Sequence, residues 1–535
     1  MAVIRWSGFT GENRALHPKL LADGQCTASL NQKPGRGDLR PWRNALTVAT
    51  VPTGRKTIYR MGRDVDSDSQ YWLSWTTRVH AMLGFETENT TERTYFTGDG
   101  VPKVTDNTIA LASAPYPTAA RLLGVPAPIS APIVSGISGT YTGADAEYFY
   151  AYTYVTDWGW ESATSPPSAV LSRKTDQPAT ISNIQTPPSG NYGISLVRIY
   201  RTQAGSSSTA GWFFLREISL GVSSTTDDNR ELNDQLETTA WTMPPSDLAS
   251  LTPLWNGMAA GISGGGVRFC VPYALYAWPI AYEVLPPDST PVALGVVGQQ
   301  LLVLTTGRPL LVSGSSPEAM DQMPVEMSQA CVAADSVVSM GQGVAWASED
   351  GLCWYGAGGP RILTAGVLTR EDWQAMNPAT VTGHMYEGLY FGSYLVNGVR
   401  KGFLIDPMNP TGVYFLETGF DVCHFDELKD QLYVLDRGNV KRWDAASTFM
   451  NVSAASKVWP MPYPLNMAMA QVVADSYPVQ LQVFGDGVLR ADIAITSAEP
   501  QWLPSGYLAR DWQLKATGTL QGVAVATTLE EIKQT

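Results

Sequence analysis

An all-β fold is predicted for this chain: an interrupted β-propeller of about six blades, an inserted β-sandwich and a β-sandwich at the C-terminal end. Three observations predict it. First, a hairpin pattern of apolar strand, polar turn closed by Gly, and second strand begins at Leu301, Val344, Leu389 and Leu432, recurring every 43 to 45 residues. Recurrence at about 40–45 residues is the spacing of four-stranded propeller blades. Second, a further copy lies far upstream, at Thr94-Tyr95-Phe96-Thr97-Gly98-Asp99-Gly100-Val101-Pro102-Lys103-Val104-Thr105-Asp106, with the length and turn position of Leu432 to Asp444. The array is therefore interrupted. Third, the 49 Gly, 36 Pro, 17 Trp, 23 Tyr and 14 Phe of the 535 residues suit many short strands joined by tight turns.

The elements follow in order. Residues 1–128 form the N-terminal part of the propeller, with strand signals at Thr57-Ile58-Tyr59, Tyr71 to Trp75 and Thr94 to Phe96. An Ala- and Pro-dense stretch from Ala112 to Pro132 reads as a linker. Residues 129–245 hold the long aromatic strand Tyr148 to Val155, the turn Trp158-Gly159-Trp160-Glu161-Ser162, and strands Val197 to Thr202 and Trp212 to Ile218 around the Gly/Ser loop Ala204 to Gly211. About 110 residues of short strands with regular turns predict a sandwich of fibronectin III kind, closed by Pro244-Pro245. Residues 246–450 resume the propeller, with a sixth copy of the repeat expected near Val267 or Ile58. Residues 451–535 form the C-terminal sandwich or cap, with strands Val479 to Phe484, Trp512 to Ala516 and Val523 to Ala526. Helix signals are confined to Arg370 to Met376, with Thr369 as N-cap, and Thr528 to Gln534.

Charged residues are only 16% of the chain, fewer than in ordinary soluble domains, which suits a surface buried against neighbours. A net charge of −13 argues against a sequence-reading nucleic-acid binder, which needs a basic footprint, while a channel that repels phosphate lets a polyanion slide. Cys26, Cys270, Cys331, Cys353 and Cys423 are scattered and read as buried free thiols from a reducing cytoplasm. The start Met1-Ala2-Val3-Ile4-Arg5-Trp6 lacks the pattern of a signal peptide, and no membrane-spanning segment is expected.

Ser348-Glu349-Asp350-Gly351-Leu352-Cys353-Trp354 is similar to the Asp-box, Ser-x-Asp-x-Gly-x-x-Trp, but Asp350 directly precedes Gly351 and the pair reads as a hairpin turn. Asp372, Asp406 and Asp436 are carboxylates that a glycosidase would need to bring together. His17, His80, His384 and His424 lack metal-ligand spacing, and Cys423 and His424 point to opposite faces of a strand. Gly261 to Gly266 leads into a strand, so it is a mobile loop or a blade connection and no phosphate cradle. Arg36-Gly37-Asp38 is explained as a turn. Tyr148, Tyr150, Tyr152 and Tyr154 alternate, as one face of a sandwich core does. No catalytic, cofactor-binding or metal residue is assigned, and the channel-lining and interface residues stay undesignated.

Short patches resemble a known family. Leu254-Trp255-Asn256-Gly257-Met258, Arg268-Phe269-Cys270-Val271-Pro272, Ala277-Trp278-Pro279, Leu304-Thr305-Thr306-Gly307-Arg308-Pro309 and Asp372-Trp373 look like the propeller region of tail nozzle (tail tubular) proteins of short-tailed bacteriophages. Glu92 to Pro102 is similar to their N-terminal part, and Leu503-Pro504-Ser505-Gly506-Tyr507 with Ala509-Arg510 and Trp512 to their terminal sandwich. The resemblance implies a structural virion protein and not an enzyme. It implies a homo-oligomeric ring, commonly a hexamer, around the DNA exit channel, assisting assembly and DNA ejection. Implied partners are portal-side adaptor proteins, tail fibres and passing phage DNA, and the implied location is the virion tail, after synthesis in the host cytoplasm. The alternatives are a host-glycan-binding or fibre-docking tail protein and a polysaccharide-degrading enzyme.

Overall fold

A computed structural model describes residues 3–62, 67–87, 89–207, 211–229, 231 and 233–533. Met1, Ala2, Gln534 and residues 208–210 of the Gly/Ser loop thus lie outside the described residues. The chain is all-β, with many small sheets, and divides into two units. One comprises Met1–Thr76, Asp288–Leu311 and Met323–Thr535, the other Thr77–Pro287 and Val312–Gln322. Among the described residues no helix is long and apolar enough to cross a membrane.

In the first unit, each repeat read from the sequence is a hairpin. Gly343–Ala347 pairs with Leu352–Gly356, Leu389–Val396 with Val399–Ile405, and Gln431–Asp436 with Asn439–Arg442. Asn397-Gly398 and Arg437-Gly438 have positive φ at both turn residues, the geometry that matches strand twist in a two-residue hairpin. Gln300–Thr305 pairs with Pro291–Val297. The predicted helix is Arg370–Ala375, started by a capping box in which Thr369 and Asp372 satisfy each other's backbone N–H.

The expected extra copies also form hairpins. That at Val267 is Ala259–Ser263 with Gly266–Phe269, in a four-stranded sheet of the second unit. That at Ile58 is a two-stranded sheet, Thr57–Arg60 with Trp72–Trp75, in the first.

Sequence reasoning gave all of residues 1–128 to one array. Instead, Val3–Ser7 pairs antiparallel with Gly522–Ala526, and Cys26–Leu30 pairs with strand Ser453–Leu465. The reason is apolar alternation: Ile4 and Trp6 need a buried face, and find it opposite Val523 and Val525. Two sheets here enclose one core, with Ile4, Trp6 and Val472 on one side and Leu481, Val483 and Leu514 on the other. A third N-terminal strand, Leu46–Thr50, pairs with Asn439–Arg442 and makes a four-stranded sheet of the three-stranded run from Cys423 to Arg442.

In the second unit, Tyr150–Thr156 lies beside Ile194–Arg201, which in turn pairs with Phe213–Ser219. The tyrosines bury one face, as alternation predicts, but the strand is buried throughout: Ala151 packs with Tyr200, Trp212 and Leu236 on the other side. Its remaining edge is closed by side chains. The N–H groups of Tyr154, Tyr152 and Tyr150 donate to the Oγ atoms of Ser162, Ser165 and Ser168 at 3.0–3.1 Å. The three serine N–H groups donate back to the tyrosine carbonyls. A Pro-containing segment that cannot run a full ladder thereby satisfies a buried edge. The stretch read as a linker is packed as well, since Leu123 and Val125 are buried with Tyr152 and Ile181 in one core.

Candidate functional site

The residues that sequence reasoning weighed for chemistry are spent on local structure. Asp372 caps its helix, Asp406 accepts from the Met408 N–H at 2.8 Å, and Asp436 pairs with Lys441 at 2.6 Å across a hairpin. Ser348 closes the Asp350-Gly351 turn by donating its hydroxyl to the Gly351 carbonyl at 2.9 Å. Gly264 and Gly265 both take positive φ in a two-residue turn, with Asp247 accepting from the Gly264 N–H, so this segment is a strand connection. Among the described residues no three His, Cys, Asp or Glu side chains gather as a metal-binding group. None of the five cysteines is in a disulfide, and burial pushes the Cys331 thiol up to about 11 and those of Cys270 and Cys353 to about 12. His17 accepts from the Lys19 N–H on the surface.

His424 is different. It lies on strand Cys423–Asp426 and packs against the hairpin Thr57–Arg60/Trp72–Trp75 of the same unit. Its Nε2 accepts from the Arg60 backbone N–H at 3.4 Å, which requires a neutral ring nitrogen. Tyr59 and Trp72 hold the ring at centroid distances of 5.2 and 5.9 Å. The Arg60 guanidinium pairs with Asp426 at 2.7 Å, both buried. Burial depresses the imidazole to about 4, with the Arg60 cation adding to the effect and Asp426 opposing it.

A folded-state value of about 4 against an ordinary 6.5 means the unfolded chain takes up the proton first. Stability from this group is full above about pH 6.5 and is lost as pH falls toward 4, by about 3 kcal/mol at roughly 1.4 kcal/mol per pH unit. His424→Gln keeps an acceptor near the Nε2 position and cannot charge. Denaturation midpoints between pH 7 and 4 should therefore fall less steeply in the variant than in the parent; parallel curves would contradict this assignment.

Two ionic clusters brace the inserted segment of the second unit. Asp227, with no exposed surface, accepts from Arg173 at 2.7 Å, from Arg201 at 2.9 Å and from the Tyr150 hydroxyl at 2.7 Å. Glu161 accepts from Thr153 and Tyr200, both at 2.6 Å, and from Arg198 at 2.8 Å. Burial first, and the Asp227 carboxylate second, raise the phenol of Tyr150, so it stays a donor. The turn Trp158-Gly159-Trp160 carries the insert's main contact with the strands flanking it in sequence. Trp160 stacks on Tyr276 at 4.9 Å and lies 6.1 Å from Tyr95, while Trp158 is clasped between Arg93 and Arg121 at 4.3 and 4.0 Å. Sequence reasoning found the Trp-Gly-Trp turn and the tyrosines but not their charged partners, which lie far off in the chain: Asp227 is 77 positions from Tyr150.

No protein-family profile matches the chain, and no curated protein matches it. Solved structures that it resembles include apo AztD from Citrobacter koseri, at 11% identity over 70% of this chain and 95% of that one, with a TM-score of 0.26. Another is the WD40 domain of Toxoplasma gondii coronin, at 11% identity over 74% and 88%, with a TM-score of 0.20. A third is the extracellular domain of the putative one-component system BT4673 from B. thetaiotaomicron, at 8% identity and a TM-score of 0.25. The alignment spans 88% of this chain and half the length of that protein.

Proposed function

We propose that this chain is a structural component of a bacteriophage tail, a nozzle subunit whose copies form a ring around the DNA exit channel and assist assembly and genome ejection. In this reading the recurring four-stranded sheets are blades of one interrupted propeller, and the segment between them is a fibronectin III-like guest. The observation that carries it is strand Leu46–Thr50 completing the sheet that ends at Arg442. Such closure ties the beginning of the array to its end. The guest supports a rigid part over a tethered binding arm, because Trp160, Tyr152 and Ile181 share one core with Met82, Tyr95, Leu251 and Trp278 from the flanking segments. The tyrosines that could have stacked sugars lie inside that core. Local use of Asp372, Asp406 and Asp436 supports a non-enzymatic role. The −13 charge suits a lumen along which DNA slides without sticking.

Adaptor proteins on the portal side, tail fibres and the passing DNA are the proposed partners, and the virion tail the proposed location. Mass spectrometry of purified particles tests this. The chain is expected in several copies per virion, and a phage lacking it is expected to package DNA but fail to deliver it. Infectious particles without the chain would overturn the proposal.

A further inference from the structure

Charge is distributed unevenly along this chain. Residues 1–63 hold eleven Lys and Arg against three Asp and Glu, while the remaining 472 hold 25 against 46. A basic beginning on an otherwise acidic chain is an interaction signal. The loop that follows Cys26–Leu30 concentrates it, because Lys33, Arg36, Arg40 and Arg43 fall within eleven residues.

This loop forms one wall of a cleft of about 720 Å³ in the first unit. Lys33, Arg40, Arg43 and Asp444 line it, with Phe449 and Tyr477 across from them. Lys33 is already neutralised, at 2.6 Å from Asp444 and 2.8 Å from Glu387. Arg36 and Arg40 share a single, more distant carboxylate. Asp38 stands 3.9 Å from Arg36 and 3.6 Å from Arg40, too far for a hydrogen bond to either. The Nε of Arg40 is buried without a hydrogen-bond partner, and so is the Oδ1 of Asp38. Arg43 lies over the exposed ring of Phe449 at 5.3 Å, and only its backbone N–H reaches Asp444. The guanidiniums of Arg40 and Arg43 thus line one concave site, and Arg36 sits on the loop that walls it, none of them with a hydrogen-bonded carboxylate among the described residues. Guanidinium forks take carboxylates bidentately, and such pairs strengthen where water is excluded.

We infer that this cleft is an interface, and that its occupant is an acidic surface loop of a second copy of the chain. The inference rests on the ring proposed above. Charge favours this occupant, since the other 472 residues carry 21 more acidic than basic groups and a neighbouring copy presents mostly acidic surface. A single nucleic-acid strand fits less well. Strand binding uses successive stacking platforms, and in this cleft the exposed Phe449 ring is already covered by Arg43. A basic cleft meeting a different, acidic patch is a heterologous contact, the kind that closes into rings when the rotation permits.

Arg36 and Arg43 are exposed, so reversing them leaves the core untouched. Light scattering after gel filtration should show the parent chain assembled at 0.1 M salt and dissociating progressively toward 0.5 M. The double variant Arg36→Glu, Arg43→Glu should associate at least tenfold more weakly at 0.1 M salt, with unchanged circular dichroism. A double variant that assembles like the parent, with the same salt dependence, would overturn the interface and leave the ring standing. A parent chain that stays a single copy at every concentration would remove both. A fluorescent single-stranded oligonucleotide bound by the parent and lost in the variant would make the cleft a polyphosphate site and overturn the second-copy assignment.

Discussion

Asp227→Asn is expected to cost the second unit about 3–5 kcal/mol, among the largest effects of any single substitution in this chain. Asp227 is the carboxylate that faces Arg173 and Arg201, and all three side chains are buried. Neutralising it leaves two buried guanidiniums with only neutral acceptors, the new amide and backbone carbonyls. Desolvation that the carboxylate offsets is then unopposed. Tyr150 loses its charged acceptor too, so strand Tyr150–Thr156 is affected through the same residue. The neighbouring Asp228 makes the comparison: it pairs with Arg216 on the surface, and Asp228→Asn should shift stability by no more than about 1 kcal/mol. Urea denaturation followed by tryptophan fluorescence measures both. Equal shifts for the two variants would contradict the bracing role assigned to Asp227.

Removing residues 1–50 is expected to do more, and to abolish cooperative folding of the first unit. Three strands leave at once, exposing the edges of Gly522–Ala526, of the Ser453–Leu465 strand and of Asn439–Arg442. Ile4, Trp6, Phe9, Leu39 and Trp42 leave with them, all buried. At about 1.5–3 kcal/mol for each large apolar side chain, the loss equals the whole stability of an ordinary domain. Uncovered edges add a tendency to aggregate. A circular permutant that begins at residue 51 and carries residues 1–50 after residue 535 through a short Gly/Ser linker restores every pairing, because Val3 lies opposite Ala526. It should be soluble and unfold cooperatively, whereas the truncated chain should collect in inclusion bodies. A soluble, cooperatively unfolding truncated chain would contradict the role given to these strands.

The contrast between these regions explains what the sequence made legible. The hairpins at Leu301, Val344, Leu389 and Leu432 could be read because each is local. Apolar strands and a Gly-closed turn sit within about 15 residues, and the turn chemistry at Asn397-Gly398 selects the pairing. The capped helix after Thr369 was legible for the same reason. Pairing of Val3–Ser7 with Gly522–Ala526 was not, because it joins segments some 520 residues apart and neither carries a mark of its partner. The Ser162, Ser165 and Ser168 edge was hidden by its prolines, which read as a loop until the tyrosine strand supplies the donors. Charge misled most. The −13 total concealed the basic start, because a sum over the chain erases an asymmetry between its parts. The partners of Asp227 are equally silent, being chosen by the register of strands that periodicity cannot set.

The proposed function requires copies of the chain to form a ring around an opening. Electron microscopy of the purified full-length chain tests this most directly. End-on views should show closed rings of identical 57.9-kDa subunits with a central aperture wide enough for a DNA duplex. A uniform field of single subunits, or assemblies with no aperture, would contradict it.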